Sequence, residues 1–462
     1  MEELKKLAGF VADFKLETAG PDVCEAAKGC VLDTVGLALG AETNTMFRSI
    51  RKVYTETDGK PTDGGIALWG SRKYGSLRTA VFLNAMMGHI LELDDVHIKS
   101  KTHIGTVVIP AAWCLAEYLG KNGKQFLEAV ICGYEVMARI GMGFGVSAHR
   151  NRGWHVTGTA GTFGAAAACG KLLGFDEEKL LSAFGLAGTQ SCSTWAFLSD
   201  GATNKVLHPA RAAVSGLESC MLVLGGMKGS GRILDADDGG IFPMMSDGYD
   251  YALLNAGLGE IYEIRSMDKK PYPCCRSTHC AIDAAIALRE SRKIPPESVR
   301  EVNIETYLVG VKQCGMTEGS LRPKQPTEAK FSTPYTVACA LLNGNVGLAD
   351  FEPKAIDRKM VRELAEKVHV SEAKRFTDKY PEHWGCRMEL ILKSGEVYTK
   401  EVEDASGSIS APLTKKQILE KARACCSSYE RSWCDKIFQD IENMEGIGSM
   451  PSLLLGRGSV VQ

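Results

Sequence analysis

The stretch from Glu92 to His103, ELDDVHIKSKTH, concentrates side chains that could carry out acid–base or metal chemistry. It holds three carboxylates, among them Asp94 and Asp95, and two of the nine histidines of the chain, His97 and His103. A divalent-metal site, an acid–base site and a solvated loop are all compatible with this composition. The two histidines lack the i, i+4 spacing that is typical of helical metal sites. Two lysines within the stretch favour an anion over a cation, so an acid–base site is the first expectation.

A second candidate is His155, which lies in the segment NRGWHVTGTAGTFGAAAA, immediately before a Gly- and Thr-rich helix start. The positive end of a helix dipole disfavours a charged imidazole, and a neutral imidazole is what a general base at pH 7 requires. Free backbone N–H groups at the same place attract carboxylates. The alternative is a histidine packed in the core.

Two further segments carry cations that could bind an anion. DGATNKVLHPARAA places Lys205 and His208 at helical-type spacing, on either an ordinary surface or an anion-binding face. DKKPYPCCRSTHCAIDAA contains Lys270, Cys275 and Arg276 at a point where the pattern of the chain changes. Such a segment can line a cleft between two domains.

The overall composition excludes several classes of protein. The chain has 462 residues, a net charge of −2 and no basic stripe, so a nucleic-acid partner is not expected. It lacks a run of about 20 apolar residues, and its amphipathic N-terminus mixes acids with lysines, so neither a membrane span nor a targeting signal is expected. Its 16 cysteines form no CxxC pair and indicate buried, reduced thiols. A cytoplasmic, soluble protein is therefore predicted.

The elements that must position these residues change in type along the chain. Residues 1–267 show helical periodicity, including a helix from about Leu77 to Leu93 and two helices joined at Asn122-Gly123. Residues 268–404 contain alternating strand patterns, a hairpin signal at Ser394-Gly395 and intervening helices. Helix returns after Thr414, which has capping-box spacing to Gln417. The predicted fold is mainly α, with a large all-helical bundle domain (1–267 and 405–462) and a smaller inserted α+β lid domain (268–404).

Five segments, in order, resemble the MmgE/PrpD family: GHILELDDVH, RGWHVTGTAGTFGAAAA, DGATNKVLH, KPYPCCRSTH and AKFSTPYTVACALL. The resemblance covers nearly the whole chain. It implies a homodimer, a helical domain built from both chain ends, an α+β lid, and catalysis without a metal or an organic cofactor. The family includes 2-methylcitrate dehydratase, cis-aconitate decarboxylase and iminodisuccinate epimerase, all of which act next to a carboxylate.

The resemblance assigns roles position by position. The residues that it makes catalytic are His155, His103, Asp94, Tyr335, Lys205 and Lys270. The predicted substrate-binding residues are Glu92 and Asp95, which belong to the acidic cluster of the resemblance, together with His208, Cys275 and Arg276 of the two cationic segments. Fixed ammonium groups would stabilise an enediolate-like charge, and a histidine would move the proton. From the residues alone, a tyrosine packed in the core is the alternative for Tyr335.

Three positions depart from the family pattern. Val96 replaces the threonine of Asp-x-Asp-Asp-Thr, Ile104 replaces a proline, and Cys275 stands where the decarboxylases tend to have a histidine. These changes alter the expected recognition of a third carboxylate. The first expectation is a hydro-lyase similar to 2-methylcitrate dehydratase, acting on a small di- or tricarboxylate. The alternatives are an iminodisuccinate-type epimerase, a cis-aconitate-type decarboxylase and a non-catalytic carboxylate-binding protein.

Overall fold

A computed structural model describes residues 2–59 and 64–453. The helices before the lid are α1 Glu2–Asp13, α2 Leu16–Ala19, α3 Pro21–Gly40, α4 Thr45–Thr57, α5 Leu77–Ile90, α6 Gly105–Tyr118, α7 Gly123–Gly143, α8 Val146–Asn151, α9 Val156–Leu172, α10 Glu177–Thr189, α11 Leu207–Leu224 and α12 Ile241–Met245. The later helices are α13 His279–Arg292, α14 Leu308–Cys314, α15 Glu318–Leu321, α16 Pro326–Lys330, α17 Thr333–Asn343, α18 Pro353–Ile356, α19 Lys359–Ala365, α20 Lys374–Thr377, α21 Lys415–Cys425 and α22 Arg431–Glu442. The strands are β1 Ile66–Ala67, β2 Tyr74–Gly75, β3 Val96–His97, β4 Met267–Asp268, β5 Val299–Thr306, β6 Val368–Glu372, β7 Cys386–Leu392 and β8 Val397–Val402.

Local sequence signals set several helix ends. Asn122 caps α7 and forms a capping box with Gln125, and Thr414 forms one with Gln417 at the start of α21. Helix α5 ends at Ile90, earlier than predicted. The backbone of Glu92 adopts a φ of 58°, a left-handed conformation that cannot continue a helix.

Helix α9 forms the centre of the helical part, packed against α6, α7, α10 and α11. Small residues allow this close packing. A Cβ atom added to Gly164 of α9 would lie 2.6 Å from the Cβ of Met137, and one added to Gly216 of α11 would lie 2.4 Å from that of Ala165. The tight contacts fix the position of α9 and therefore of His155, which directly precedes it.

The lid contains a four-stranded sheet in the order β6-β5-β7-β8. Strand β5 pairs in parallel with β6 and antiparallel with β7, and the predicted Ser394-Gly395 turn joins β7 to β8. Residues Val302 and Ile304 of β5 are buried, as the alternating pattern predicts. Helices α13 and α17 pack against each other and against the sheet.

Two main hydrophobic cores divide the described residues. One unites most of the helices from α1 to α12 with the C-terminal α21 and α22, and the other lies within residues 272–405. The predicted fold class, mainly α with a smaller α+β part, is confirmed. The helical part also has two short strand pairs that the sequence did not indicate, β1–β2 and β3–β4. We propose domain boundaries at 267/268 and 404/405, which agree with the extent of the two cores to within one residue, since Ala405 packs in the lid core.

The pairing of β3 with β4 has a direct consequence for the site. Val96 lies opposite Asp268, so the stretch from Glu92 to His103 is joined to the first residues of the lid segment. Among the helices of residues 2–59 and 64–453, none combines the length and apolar character that crossing a bilayer would require.

Candidate active site

A cavity of about 60 Å³ lies between the helical part and the lid. The helical part contributes Glu92, His103, His155 and Lys205 to its wall, and the lid contributes residues from Cys275 to Trp384. Four of the predicted catalytic or binding residues therefore reach one cavity from three separate segments of the helical part. The volume corresponds to about four to six water-sized positions.

Glu92 holds two buried ammonium groups at the inner end of the site. Both carboxylate oxygens of Glu92 lie 2.6 Å from Nζ of Lys205, and its Oε1 lies 3.2 Å from Nζ of Lys270. Burial acts to raise the pKa of Glu92, but the two ammonium groups outweigh it and hold that pKa well below its usual range. With Asp94, whose Oδ1 lies 4.0 Å from Lys270 Nζ, two positive charges face two negative charges.

Asp94 lies between two imidazole rings. Its Oδ2 is 2.7 Å from Nδ1 of His89 and 3.1 Å from Nδ1 of His103. Nδ1 of His103 is also 3.0 Å from the carbonyl oxygen of Asp95. Both neighbours of this nitrogen are acceptors, so Nδ1 of His103 carries the proton and Nε2 keeps its lone pair. Burial lowers the pKa of His103 to about 4, against the opposing effect of Asp94, so its imidazole is neutral at pH 7.

His89 is a site residue that the sequence analysis missed. It is buried at the end of α5, and its Nε2 lies 3.0 Å from Nζ of Lys205. Because the ammonium can only donate, Nε2 accepts this bond and Nδ1 donates to Asp94. His89 thereby connects Asp94 to Lys205. Its position three residues before Glu92, near the end of a predicted helix, was the available signal.

His155 precedes the first residue of α9, as predicted. Its Nδ1 lies 2.9 Å from Nδ1 of His208, and its ring centroid lies 6.3 Å from that of His103. Burial and the neighbouring His208 and Lys205 hold the pKa of His155 well below its usual range, and burial lowers the pKa of His208 to about 3. Two neutral imidazoles, His103 and His155, therefore line the same cavity.

Two of the predicted residues reach the cavity from the lid. A hydrogen bond from the Cys314 thiol lowers the pKa of Cys275 to about 7, against the effect of burial. Arg276 lines the cavity as well, but its guanidinium pairs with Asp268 at 2.9 Å and donates to the carbonyl oxygen of Ser406. The charge of Arg276 is therefore already compensated by the protein.

Five of the predicted residues do not line the cavity. Two of them, Asp94 and His208, contact the cavity-lining imidazoles of His103 and His155. Lys270 lies behind Glu92, with Nζ 3.0 Å from the backbone carbonyl of that residue. Asp95 faces the helical core, where it accepts hydrogen bonds from the side chain of a tyrosine and the backbone of a glycine. Tyr335 is buried in the lid core and donates its hydroxyl to a backbone carbonyl oxygen there. The side chains of these five residues are therefore not placed to touch a ligand in the cavity.

Other wall residues had no motif to indicate them. Lys101 belongs to the opening stretch, but its direction could not be read from the sequence. Arg150 lies on the short helix α8, and Trp195 follows α10. Tyr380 and Trp384 come from the lid, more than 270 residues further along the chain than Lys101. Spacing carries no information about contacts across that distance.

A metal ion could in principle use one atom from each of His89, Asp94 and His103, since these atoms lie within 4.8 Å of one another. The distances between these three side chains indicate hydrogen bonds rather than metal ligation. Asp94 Oδ2 is at hydrogen-bonding distance from both imidazoles, and Lys205 occupies the other nitrogen of His89. Fixed positive charge beside the group opposes a second cation.

Neutral imidazoles beside buried ammonium groups, with His103 oriented by Asp94, are an arrangement suited to acid–base chemistry on a molecule that carries negative charge. The chain matches the MmgE/PrpD N-terminal domain over residues 5–254 and the MmgE/PrpD C-terminal domain over residues 272–443. The chain belongs to the MmgE/PrpD family, and the predicted membership is confirmed.

Curated relatives of the chain are lyases. A cis-aconitate decarboxylase from Aspergillus terreus is 28% identical over 428 residues, covering 88% of this chain and 86% of that protein. The cis-aconitate decarboxylase of Homo sapiens is 27% identical over 458 residues, covering 94% and 90%. A 2-methylcitrate dehydratase from Escherichia coli is 22% identical over 394 residues, covering 82% and 79%. The predicted enzyme class, a lyase of the MmgE/PrpD family, is confirmed at this level.

Proposed function

We propose that this protein is a lyase that works at the carbon next to a carboxylate of a small di- or tricarboxylate, without a metal or an organic cofactor. A hydro-lyase similar to 2-methylcitrate dehydratase is the first reaction to test. The observation that carries the proposal is the pair formed by Asp94 and His103, in which the carboxylate fixes the proton on Nδ1 and leaves Nε2 as a base.

In this mechanism His103 takes the proton from the carbon next to a carboxylate. The imidazolium that forms is stabilised by Asp94, 3.1 Å away. A positioned base of this kind contributes about 10²–10⁴-fold to the rate. The electrons left on carbon delocalise into the carboxylate, and Lys205, which lines the cavity, stabilises that developing negative charge.

His155 is placed to assist the leaving hydroxyl. Both rings line the cavity with their centroids 6.3 Å apart, so His155 can donate a hydrogen bond to the leaving oxygen, while the imidazolium of His103 returns to that oxygen the proton taken from carbon. The hydrogen bond between His155 and His208, 2.9 Å long, holds the second ring in place. Loss of hydroxide as water completes the elimination.

Decarboxylation is the second candidate, because decarboxylases are the relatives with higher identity, 27–28% against 22%. The wall near the imidazoles includes Trp195 and Phe331, an apolar environment that disfavours a carboxylate and favours its loss as carbon dioxide. The carbanion that remains needs the same cation and a proton donor. Cys275, at the position where decarboxylases tend to carry a histidine, is the feature that argues against it.

One panel of substrates separates these reactions. Purified protein is incubated with citrate, 2-methylcitrate, malate and cis-aconitate, and absorbance at 240 nm, carbon dioxide release and exchange of carbon-bound hydrogen with deuterated water are measured. Formation or loss of the unsaturated acid supports the hydro-lyase, and carbon dioxide supports the decarboxylase. Exchange without either product would overturn both in favour of an epimerase. Binding without any reaction would indicate a carboxylate-binding protein.

A matched pair of variants tests the proposed base. His103→Gln is expected to lower kcat/KM by about 10²–10⁴-fold. His97→Gln is the control, because His97 belongs to the same stretch but bonds to Ser100 and Glu263 rather than to the cavity. Equal losses in the two variants would contradict the assignment of His103.

We further propose a homodimer and a cytoplasmic location. The family resemblance supports the dimer, and light scattering should give twice the chain mass of 49.9 kDa. The free cysteines, nearly all buried, are compatible with a reducing compartment. A monomeric mass at micromolar concentration would contradict the first part, and fractionation of cells would test the second.

A further inference from the structure

Two cationic side chains in the cavity wall lack the compensation that the other cations have. Nζ of Lys101 and Nε of Arg150 are shielded from solvent, and no described residue accepts a hydrogen bond from either atom. Lys101 as a residue is partly exposed, but its ammonium group is not. Burying a charge without a hydrogen-bonded partner is unfavourable, so the Lys101 ammonium is expected to have a partner in the functional complex, and the unpaired Nε–H of Arg150 is a second donor for that partner.

The other cations of the site each have a carboxylate partner. Lys205 and Lys270 share Glu92, and Arg276 pairs with Asp268. Lys101 and Arg150 instead face aromatic rings: Nζ of Lys101 is 2.9 Å from the ring centroid of Tyr380, and Cζ of Arg150 is 4.4 Å from that of Trp195. A ring face attracts a cation but does not neutralise it. The carboxylate whose charge acts on Lys101 is Glu382, which is exposed to solvent.

The backbone holds Lys101 in an unfavourable conformation. Its φ is 58°, which is uncommon for a residue with a side chain and is concentrated at functional sites. The backbone N–H of Lys101 donates to the carbonyl oxygen of His97 at 2.7 Å and fixes this turn. Lys101 is two residues before His103, and Arg150 is five residues before His155. Each unpaired cation is therefore carried by the same segment as one of the two imidazoles.

We propose that Lys101 and Arg150 form a second carboxylate subsite, which holds a carboxylate of the substrate that does not react. The inference rests on the proposed function and narrows it to substrates with at least two carboxylates. One carboxylate adjoins the reacting carbon near Lys205, and the other is bound between Lys101 and Arg150. Tyr380 and Trp384 of the lid lie beside Lys101, so a carboxylate bound at this subsite lies between the helical part and the lid.

Calorimetric titration with tricarballylate tests the subsite. This tricarboxylate has no hydroxyl group to lose, so its binding can be measured without turnover. Lys101→Met and Arg150→Gln are each expected to weaken its binding about tenfold or more, because each removes one of the two cations that would face the bound carboxylate. Lys99→Met and Arg152→Gln are the matched controls, since both residues are on the same segments but are exposed and pair with Glu263 and Asp247. The controls should change the affinity by less than about twofold.

Thermal unfolding separates a binding role from a structural one. Removal of an uncompensated buried charge should leave the Tm of Lys101→Met equal to or above that of the wild type. Unchanged tricarballylate affinity in both cavity variants would overturn the subsite, as would wild-type binding no tighter than that of butyrate or inorganic phosphate. If no substrate of the panel is turned over, the proposed function is wrong but the titration with tricarballylate still tests the subsite. The two proposals can therefore fail separately.

Discussion

Nδ1 of His103 lies 3.1 Å from Oδ2 of Asp94, in a part of the site where the carboxylate has no contact with solvent. The second neighbour of this nitrogen is also an acceptor, the carbonyl of Asp95. The proton therefore has one location, and the lone pair of Nε2 is available for chemistry. In the proposed mechanism, the base therefore depends on a single carboxylate that does not itself line the cavity.

Asp94→Asn should lower kcat/KM by about 10³–10⁴-fold, because an amide can donate to Nδ1 and favour the wrong tautomer of His103. Steady-state kinetics on the substrate identified by the panel gives the number. A reduction of less than about tenfold would mean that Asp94 does not orient the base.

Asp95→Asn provides the contrast for the adjacent carboxylate. Burial raises the pKa of Asp95 to about 7, and its oxygens bond to Tyr134 and Gly105 in the helical core. The variant is expected to lose about 1–3 kcal/mol in the free energy of unfolding. Its kcat/KM should stay close to that of the wild type, and a catalytic loss as large as that of Asp94→Asn would show that the two carboxylates act together.

Lys270→Met should destabilise the fold as well as the activity. Among the described residues it leaves Lys205 as the one ammonium group within ion-pair distance of the buried carboxylates of Glu92 and Asp94, and breaking a buried ion pair costs about 3–5 kcal/mol. Chemical denaturation measures this loss. The double variant Lys270→Met/Glu92→Gln should recover a large part of it, since the uncompensated charge is then removed. Additive losses would contradict the ionic coupling of Lys270 and Glu92.

The acidic limb of kcat/KM should lie below the pH at which histidine usually titrates. Burial lowers the pKa of His103 to about 4, so the base stays neutral until the pH approaches that value. Asp94 opposes this shift, so Asp94→Asn should move the limb to still lower pH. A pH profile, corrected for the ionisation of the substrate, tests both statements; a limb near the usual histidine value of about 6.5 would contradict them.

The same shift has a consequence for stability. Above about pH 6.5 His103 is neutral in both the folded and the unfolded chain, so it contributes no pH dependence. As the pH falls from about 6.5 towards 4, the unfolded chain binds a proton that the folded chain does not, and the free energy of unfolding decreases. His103→Gln should remove this contribution from the pH dependence of denaturation.

Tyr335→Phe should retain activity within about threefold, because the hydroxyl of Tyr335 bonds to Asp350 inside the lid and not to the cavity. Loss of that bond should lower the free energy of unfolding by about 0.5–1.5 kcal/mol. Kinetics and denaturation on the same preparation measure both effects. If turnover instead falls by about 100-fold or more, the catalytic role that the family resemblance assigned to this tyrosine would be restored.

Much of the architecture was predictable because its signals are local. The capping boxes at Asn122 and Thr414, the alternation along β5 and the turn at Ser394-Gly395 each depend on a few neighbouring residues. The position of His155 at the start of α9 followed from the same kind of pattern. Helix α5 was predicted three residues too long, because the helical pattern continues to Leu93 and does not show that the backbone of Glu92 is left-handed.

The sequence by itself determined the fold class, the family and the types of side chain that the site contains, since residue identity and short-range spacing are sufficient for these. Only the tertiary structure decided which of those side chains meet. It placed His89 between Asp94 and Lys205, turned Asp95 into the core, kept Tyr335 in the lid, and left Lys101 and Arg150 without an acceptor among the described residues. The direction of a side chain and the pairing of its charge depend on contacts between segments far apart in the chain. No local sequence pattern encodes such contacts.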